Sequence, residues 1–316
     1  VKKYLRVLSA VLILTLVVSL VAACGNSQSQ PQPQQQNTNQ PTEQSSQVPA
    51  EKKIIKVGIG LNEQSPQYQG LLKFKELVED GSNGKFEVQL YANSQLGDDT
   101  KMMQSLRMGT LEMTCPSTAP IAGINKQFMI FDLPFLFPNE EVADKVLDGP
   151  TGQKLLDSLS ESGIKGLAYW ENGYRDLTNS VREVKSPADL KGLKIRTMEN
   201  PVHLASFRAM GANPTPMPFG ELFTAMQQKT IDGQENPLTT IYLQKFYEVQ
   251  KYVTLTHHFY SPFVFMMSKK YWDGLSKEDQ DLIQKAAIEA GAYERQINRE
   301  QMAEMEKNLK DAGMVV

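Results

Sequence analysis

Residues 253–268 read VTLTHHFYSPFVFMMS. The run is long, largely apolar and broken at Pro262, a residue that cannot donate to a strand ladder. A strand that passes from one lobe of a protein into another has this look, buried along its length. Its neighbours extend the pattern. IIKVGIG (54–60), FEVQLYA (86–92) and KGLAYW (165–170) read as strands, and another opens near Lys194. Residues 67–80, with Leu71, Leu72, Leu77 and Val78 inward, and residues 100–108 read as helices. Alternating strands and helices predict an α/β fold with parallel pairing through helical crossovers. From Ser276 to Gly313 the chain runs without proline, with an N-cap pattern of Ser276 and Asp279. At about 1.5 Å per residue that helix exceeds about 50 Å and is expected to brace two lobes, the alternative being a single tail helix.

The chain's 316 residues, 41% hydrophobic and 22% charged, suit a soluble globular protein of two lobes. Its formal charge is −3 and it has no basic run, which excludes nucleic acid as the natural partner. Lys2, Lys3 and Arg6 precede the apolar stretch 7–23, VLSAVLILTLVVSLVAA, which ends on small residues before Cys24. That order is an export signal, and as a helix it would span roughly 25 Å, short of a bilayer core of about 30 Å. Val21-Ala22-Ala23-Cys24 resembles a bacterial lipoprotein box, so Cys24 is the expected lipidated N-terminus of the mature protein. Residues 25–50 hold nine glutamines, four prolines and one charge, Glu43, and are expected to form a disordered tether. With Cys24 lipidated, Cys115 is the remaining thiol and a buried, inert one is expected.

No enzyme pattern is complete. Gly58 and Gly60 are followed by Glu63 where a dinucleotide-binding turn needs its third glycine. His203, His257 and His258 lack metal-ligand spacing, and Asp232 with Glu235 is a weak acid/base pair. No metal or cofactor is expected.

The polar residues that stand out sit at expected element ends. ENGYRDLTNS (171–180) carries Arg175 after Gly173. SPADLKG (186–192) reads as one helical turn, and KGLKIRT (191–197) then places Arg196 on a strand. Strands joined by so short a crossover are expected to lie close, bringing both guanidinium groups to one volume with no matching acid nearby. An anion would then fill the gap, gripped bidentately. The other reading is two surface ion pairs, Arg175 with Asp176 or Glu171 and Arg196 with Glu199. Lys194, nominally on the same face as Arg196, is expected to be exposed. NPVHLASFRAMG (200–211) and PFGELFTAMQQK (218–229) read as helices, so that Phe219 is a core anchor or a ligand wall and Asn236 a helix cap.

SQLGDD (94–99), FDLPFLF (131–137), ENGYRDLTNS, SPADLKGLKIRT, MGANPTPMPFGELFTAMQQKTIDGQENP (210–237) and the tail helix together resemble the solute-binding proteins of tripartite ATP-independent periplasmic (TRAP) transporters, C4-dicarboxylate-binding subfamily. The resemblance implies two α/β lobes joined by crossing strands: residues 51–172 with about 261–300, and 173–260 with about 301–316. It implies that Arg196 makes the main salt bridge to a ligand carboxylate and Arg175 supports it. Asn236, Phe219 and Glu199 match pocket positions, and Gln64, Tyr68 and Ser117 are contacts expected from the opposite lobe. The implied partners are a small organic acid, a C4-dicarboxylate or a sugar acid, and a sodium-driven membrane permease, with the receptor a monomer anchored outside the cytoplasm. Residues 116–125 carry no charge, which argues against a sialic acid. The family continues beyond its long helix, so a further packing element after GMVV is also implied.

Overall fold

The structure is a computed structural model that describes residues 52–316. The export signal, Cys24 and the tether lie outside the described residues. Among the described residues eight strands form one sheet: β1 (Lys53–Gly58), β2 (Phe86–Tyr91), β3 (Met113–Thr114), β4 (Ile164–Asn179), β5 (Lys194–Thr197), β6 (Asn213–Pro216), β7 (Gly233–Asn236) and β8 (Tyr252–Ser268). Their order is β2-β1-β3-β8-β4-β7-β5-β6. The two ends are parallel, as the alternating pattern predicts, with β1 between β2 and β3 and β5 between β6 and β7. The middle is antiparallel, because β8 and β4 run against each other and against their outer neighbours β3 and β7.

The 253–268 stretch is therefore one strand, not two pieces. β4 and β8, of 16 and 17 residues, pair along most of their length, more than about 50 Å at the usual rise. Near one end β8 pairs Met266 and Met267 with β3, and near the other β4 pairs Asp176–Asn179 with β7. Pro262 does not break β8, since it stands opposite Glu171 at a register shift between Glu171 and Gly173, where a residue without N–H is tolerated. The ENGYRDLTNS segment, expected at an element end, runs inside β4 as far as Asn179. A larger irregularity sets residues 255–258 against Asp176 alone, whose carboxylate accepts the His257 N–H at 3.0 Å.

Helices cover both faces: α1 (Pro66–Gly81), α2 (Asp99–Met108), α3 (Thr118–Ile121), α4 (Glu140–Leu147), α5 (Pro150–Ser158), α6 (Pro201–Ala209), α7 (Leu222–Gln227), α8 (Leu238–Leu243), α9 (Lys269–Asp273) and α10 (Lys277–Asp311). Side-chain oxygens start several of them, each accepting a first-turn N–H: Ser65 for α1, Asp98 for α2, Asn200 for α6 and Ser276 for α10. The helix expected over 218–229 is split into a 3-10 turn, Phe219–Glu221, and the short α7.

Adjacent residues of β8 feed opposite cores, as strand alternation requires. Phe265 joins Leu71, Phe74, Ile283 and Ala287, whereas Val264 joins Met102, Leu106, Leu147 and Leu156. Beyond the crossing, Leu222, Ile241, Met305 and Leu309 make a third core, and Leu193, Ile195, Phe207 and Phe259 a fourth. The 35-residue α10 thus contributes Ile283 to Ala290 to one side of the molecule and Met305 and Leu309 to the other. This is the brace expected of it. Cys115 is buried, and burial pushes its thiol well above the ordinary value. No helix among the described residues is long and apolar enough to cross a membrane.

Trp170 on β4 shows how closely the layers meet. A Cβ on Gly291 of α10 would lie 2.6 Å from its Cδ1, and one on Gly70 of α1 2.8 Å from its Cζ3. Its indole N–H donates to the Ala287 carbonyl at 3.1 Å. Replacing Gly291 by alanine in a free helix would gain about 0.8–1.0 kcal/mol. Here the rigid ring must move, a cost of about 1–3 kcal/mol, and its hydrogen bond is lost with it. Gly291→Ala is expected to lower unfolding free energy by about 1–2 kcal/mol in urea titrations.

Candidate functional site

Arg196 lies near the end of β5, and the residues before it show how it is aimed. Lys194 is exposed as expected, whereas Ile195 and Arg196 are buried, so the strict alternation ends between the two charges. The Arg196 guanidinium donates from Nε at 2.9 Å and from Nη2 at 2.7 Å to one acceptor, the Met217 carbonyl. Nη1 is buried without a partner among the described residues. Burial pulls the Arg196 pKa down to about 10; Glu235 opposes that fall and Arg175 adds to it.

Arg175 reaches the same region from β4, yet its circumstances differ. Its Nε pairs with Glu235 Oε2, and its Nη2 donates to Oε1 at 2.8 Å, to the Glu235 carbonyl at 2.6 Å and to Asn236 Oδ1 at 3.1 Å. Both residues are essentially inaccessible. Burial alone would raise the Glu235 carboxyl, but the Arg175 charge and hydrogen bonds, with His258 close by, hold it well below the ordinary carboxylate range. His258 Nε2 lies 3.3 Å from Glu235 Oε2 and His203 Nδ1 lies 4.0 Å from Oε1.

One expectation is thereby corrected: Arg175 does have a matching acid, Glu235, supplied by β7 between β4 and β5. The alternative of two surface ion pairs also falls, since Arg175 pairs with neither Asp176 nor Glu171 and Arg196 is not paired with Glu199.

Arg196 and Arg175 line a pocket with Asn236, Phe219, Glu199 and Ser117, so six of the residues singled out from the sequence are brought together. Its empty space, mouth included, is about 590 Å³. Ser117 shares a 2.9 Å hydrogen bond with Ser261, and Phe219 packs against Phe246. Asn236 ends β7 and caps nothing; its amide donates to the Gln234 side chain.

Gln64 and Tyr68 lie outside this lining. Gln64 is exposed in the turn before α1, in a separate groove with Asn62, Leu243 and Lys245, and Tyr68 packs on the first core.

The lining also holds residues that sequence reasoning missed: Asp98 and Asp99 at the start of α2, Asn172 on β4, and an apolar wall that includes Ile59, Pro120 and Phe263. The adjacent acids of SQLGDD were quoted only for the family resemblance and given no role; Asp98 caps α2. Asp99 keeps partial exposure as a residue. Burial of its carboxyl nevertheless raises its pKa to about 7, with Asp98 adding to the rise and Arg196 opposing it.

Hydrogen bonds also join the two ends of the sheet, outside the pocket lining except at Glu199. Asn200 Nδ2 donates to Asp132 at 2.7 Å and to the Ala119 carbonyl at 3.1 Å, Asn62 Nδ2 to the Leu243 carbonyl at 2.8 Å, and Thr100 Oγ1 to Glu199 at 3.4 Å.

Known proteins match this chain across the described fold. The model of bacterial extracellular solute-binding protein family 7 covers residues 57–316. The 2,3-diketo-L-gulonate-binding periplasmic protein YiaO of Escherichia coli is 41% identical over 83% of this chain and 80% of its own length. The C4-dicarboxylate-binding periplasmic protein DctP of Rhodobacter capsulatus is 36% identical over 84% of this chain and 79% of its own. The crystal structure of the sugar acid binding protein DctPAm of Advenella mimigardefordensis, in complex with galactonate, aligns with a TM-score of 0.82. That chain is 49% identical, and the match covers 84% of this chain and 86% of the other.

Removing the Glu235 charge strands the Arg175 guanidinium in a dry interior. Glu235→Gln is expected to cost about 3–5 kcal/mol of stability at neutral pH, read from urea unfolding. The sign of the pH effect follows from the depressed carboxyl. The wild-type stabilisation is complete above the unfolded-chain value of 4.5 and declines as pH falls below it, a decline that the variant lacks.

Proposed function

The chain belongs to bacterial extracellular solute-binding protein family 7 and is a solute-binding protein of the TRAP type; from that premise we propose that it captures a small organic acid through Arg196 and delivers it to a TRAP membrane permease. One observation carries the reading: Arg196 is buried, its Nη1 has no partner among the described residues, and it lines a pocket walled by both ends of the sheet. A buried charge without a partner is costly. A ligand carboxylate removes that cost with charge-assisted hydrogen bonds whose geometry a lysine cannot copy.

In this reading Arg175 supports the carboxylate from behind, already neutralised by Glu235, while Asn236, Ser117, Glu199 and Phe219 surround the rest of the ligand. Gln64 and Tyr68, which do not line the pocket, drop out of the contact set. The proposed lobes are residues 51–172 with about 261–300, and 173–260 with about 301–316. The register shift between Glu171 and Gly173, facing Ser261 and Pro262, supports this division. A ligand touching both lobes favours the closed state, in which contacts such as Asn200 to Ala119 form.

The family's proteins act outside the cytoplasm, and those matched here are binding proteins named for carboxylic acids, whether diketogulonate, C4-dicarboxylates or galactonate. The proposed ligand is accordingly a small organic acid that is bound and released without chemical change. The Val21-Ala22-Ala23-Cys24 sequence supports a lipid anchor at Cys24, from which the receptor works as a monomer beside its permease.

Arg196→Lys is expected to leave the unfolding curve intact and to weaken the cognate acid by about 30-fold or more in titration calorimetry. Undiminished affinity would remove Arg196 from the ligand. Cys24→Ala is expected to shift the protein from the membrane fraction to the soluble extracytoplasmic fraction. A variant that stays with membranes would sink the anchor.

A further inference from the structure

The pocket's charges are unevenly matched, and the mismatch bears on what the ligand carries besides its carboxylate. Glu235 neutralises Arg175, so the free guanidinium edge in the lining belongs to Arg196. Facing it are three carboxyl groups, those of Asp98, Asp99 and Glu199. Asp98 is committed, capping α2 through the Lys101 N–H at 2.9 Å and pairing with Lys101 Nζ at 3.0 Å. Among the described residues neither Asp99 nor Glu199 is ion-paired; Glu199 accepts a long 3.4 Å bond from Thr100. Among the described residues the Arg196 Nη1 is unpartnered, on a residue only 2% exposed, and so is a site for an anion. The two acids without an ion-pair partner are the remaining charged acceptors of the lining.

We propose that Asp99 and Glu199 make this pocket selective for monocarboxylic acids that carry several hydroxyl groups, and that they exclude a second carboxylate. The inference rests on the reading that Arg196 holds the ligand's carboxylate. A carboxylate oxygen accepts hydrogen bonds and, when ionised, donates none. Hydroxyls along a ligand's carbon chain supply the missing donors, and charge-assisted bonds to an ionised acceptor are about twice as strong as neutral ones. A dicarboxylate brings the opposite: a second negative charge and no donor, placed among like charges in a partly desolvated cavity. The carboxyl of Asp99 already registers that crowding in its raised pKa. The acceptors come from two elements, the start of α2 and the segment after β5. Several donors spread along a chain meet them better than one ammonium, which has three N–H bonds on a single atom. The apolar wall of Ile59, Pro120, Phe219 and Phe263 suits the carbon backbone between.

The test is calorimetric titration at pH 7.5 with a panel of four- to six-carbon aldonates, with succinate and L-malate, and with L-serine and L-glutamate. It is run on wild type, Asp99→Asn, Glu199→Gln and Arg196→Lys, each checked for folding by circular dichroism. The expected result is an aldonate that binds wild type at least 100-fold tighter than either dicarboxylate. Each acid variant is expected to shrink that ratio at least tenfold, chiefly by loss of aldonate affinity. Glu199 is exposed, so its variant remains informative if Asp99→Asn folds poorly. A dicarboxylate or an amino acid that binds as tightly as any aldonate overturns the proposal, as does a selectivity unchanged in both acid variants. Should Arg196→Lys weaken a dicarboxylate that wild type prefers, this inference fails while the carboxylate-receptor reading stands. Should Arg196→Lys leave every affinity unchanged, the receptor reading fails first.

Discussion

The antiparallel pairing of β4 with β8 is the constraint on which the remainder of this molecule rests. Two strands of 16 and 17 residues, buried along most of their length, form the middle of a sheet whose ends are built locally from parallel units. Each strand therefore belongs to both ends. Where they pass from one to the other the ladder shifts register, and there Glu171 gathers partners that tie α10 to the crossing. Arg299 Nη2 lies 2.6 Å from its Oε2, Tyr260 donates to it at 2.9 Å, and Asn298 reaches Oε1 at 3.1 Å. Arg299 continues to Asp144 on α4 at 2.8 Å. Apolar packing holds α10 on both sides of this level, and polar contacts hold it at the level itself.

Two arginines, Arg175 from the crossing strand β4 and Arg196 from β5, reach one pocket with opposite electrostatic outcomes. Arg175 enters with Glu235 at bonding distance from the adjacent strand, so its charge is cancelled inside the protein. Arg196 is offered only a main-chain oxygen, which satisfies part of its fork and none of its charge. A buried guanidinium with one N–H edge left without an acceptor is a standing demand for one. One strand position, β7 between β4 and β5, decides which arginine meets that demand from within and which from outside.

Much of this was legible in the sequence, and the limits have physical causes. Period-2 runs and helix caps located β1, β2, α1, α2, α6 and the long α10, because those signals are local. β4 was read short because its second half is ENGYRDLTNS, a polar segment that looks like an element's end. Its polar side chains are buried at the crossing, where partners distant in sequence satisfy them. Glu235 was seen only as half of a carboxylate pair with Asp232, since its contact with Arg175 bridges sixty positions of chain. Asp99 was passed over because nothing local sets it apart from the neighbouring acid that caps α2, and Gln64 and Tyr68 entered by resemblance without a local cause.

The acceptor that aims Arg196 is the carbonyl of Met217. Holding Nε and Nη2 of Arg196 on a single oxygen fixes the plane of the guanidinium before any ligand arrives, so little side-chain freedom remains to be lost on binding. That oxygen belongs to the main chain. Substituting the side chain at position 217 can reshape the wall beside the ligand without deleting the group that aims the arginine. The pocket's aim and its shape are therefore separately adjustable, and a lineage of such receptors could change what it recognises while keeping how it grips.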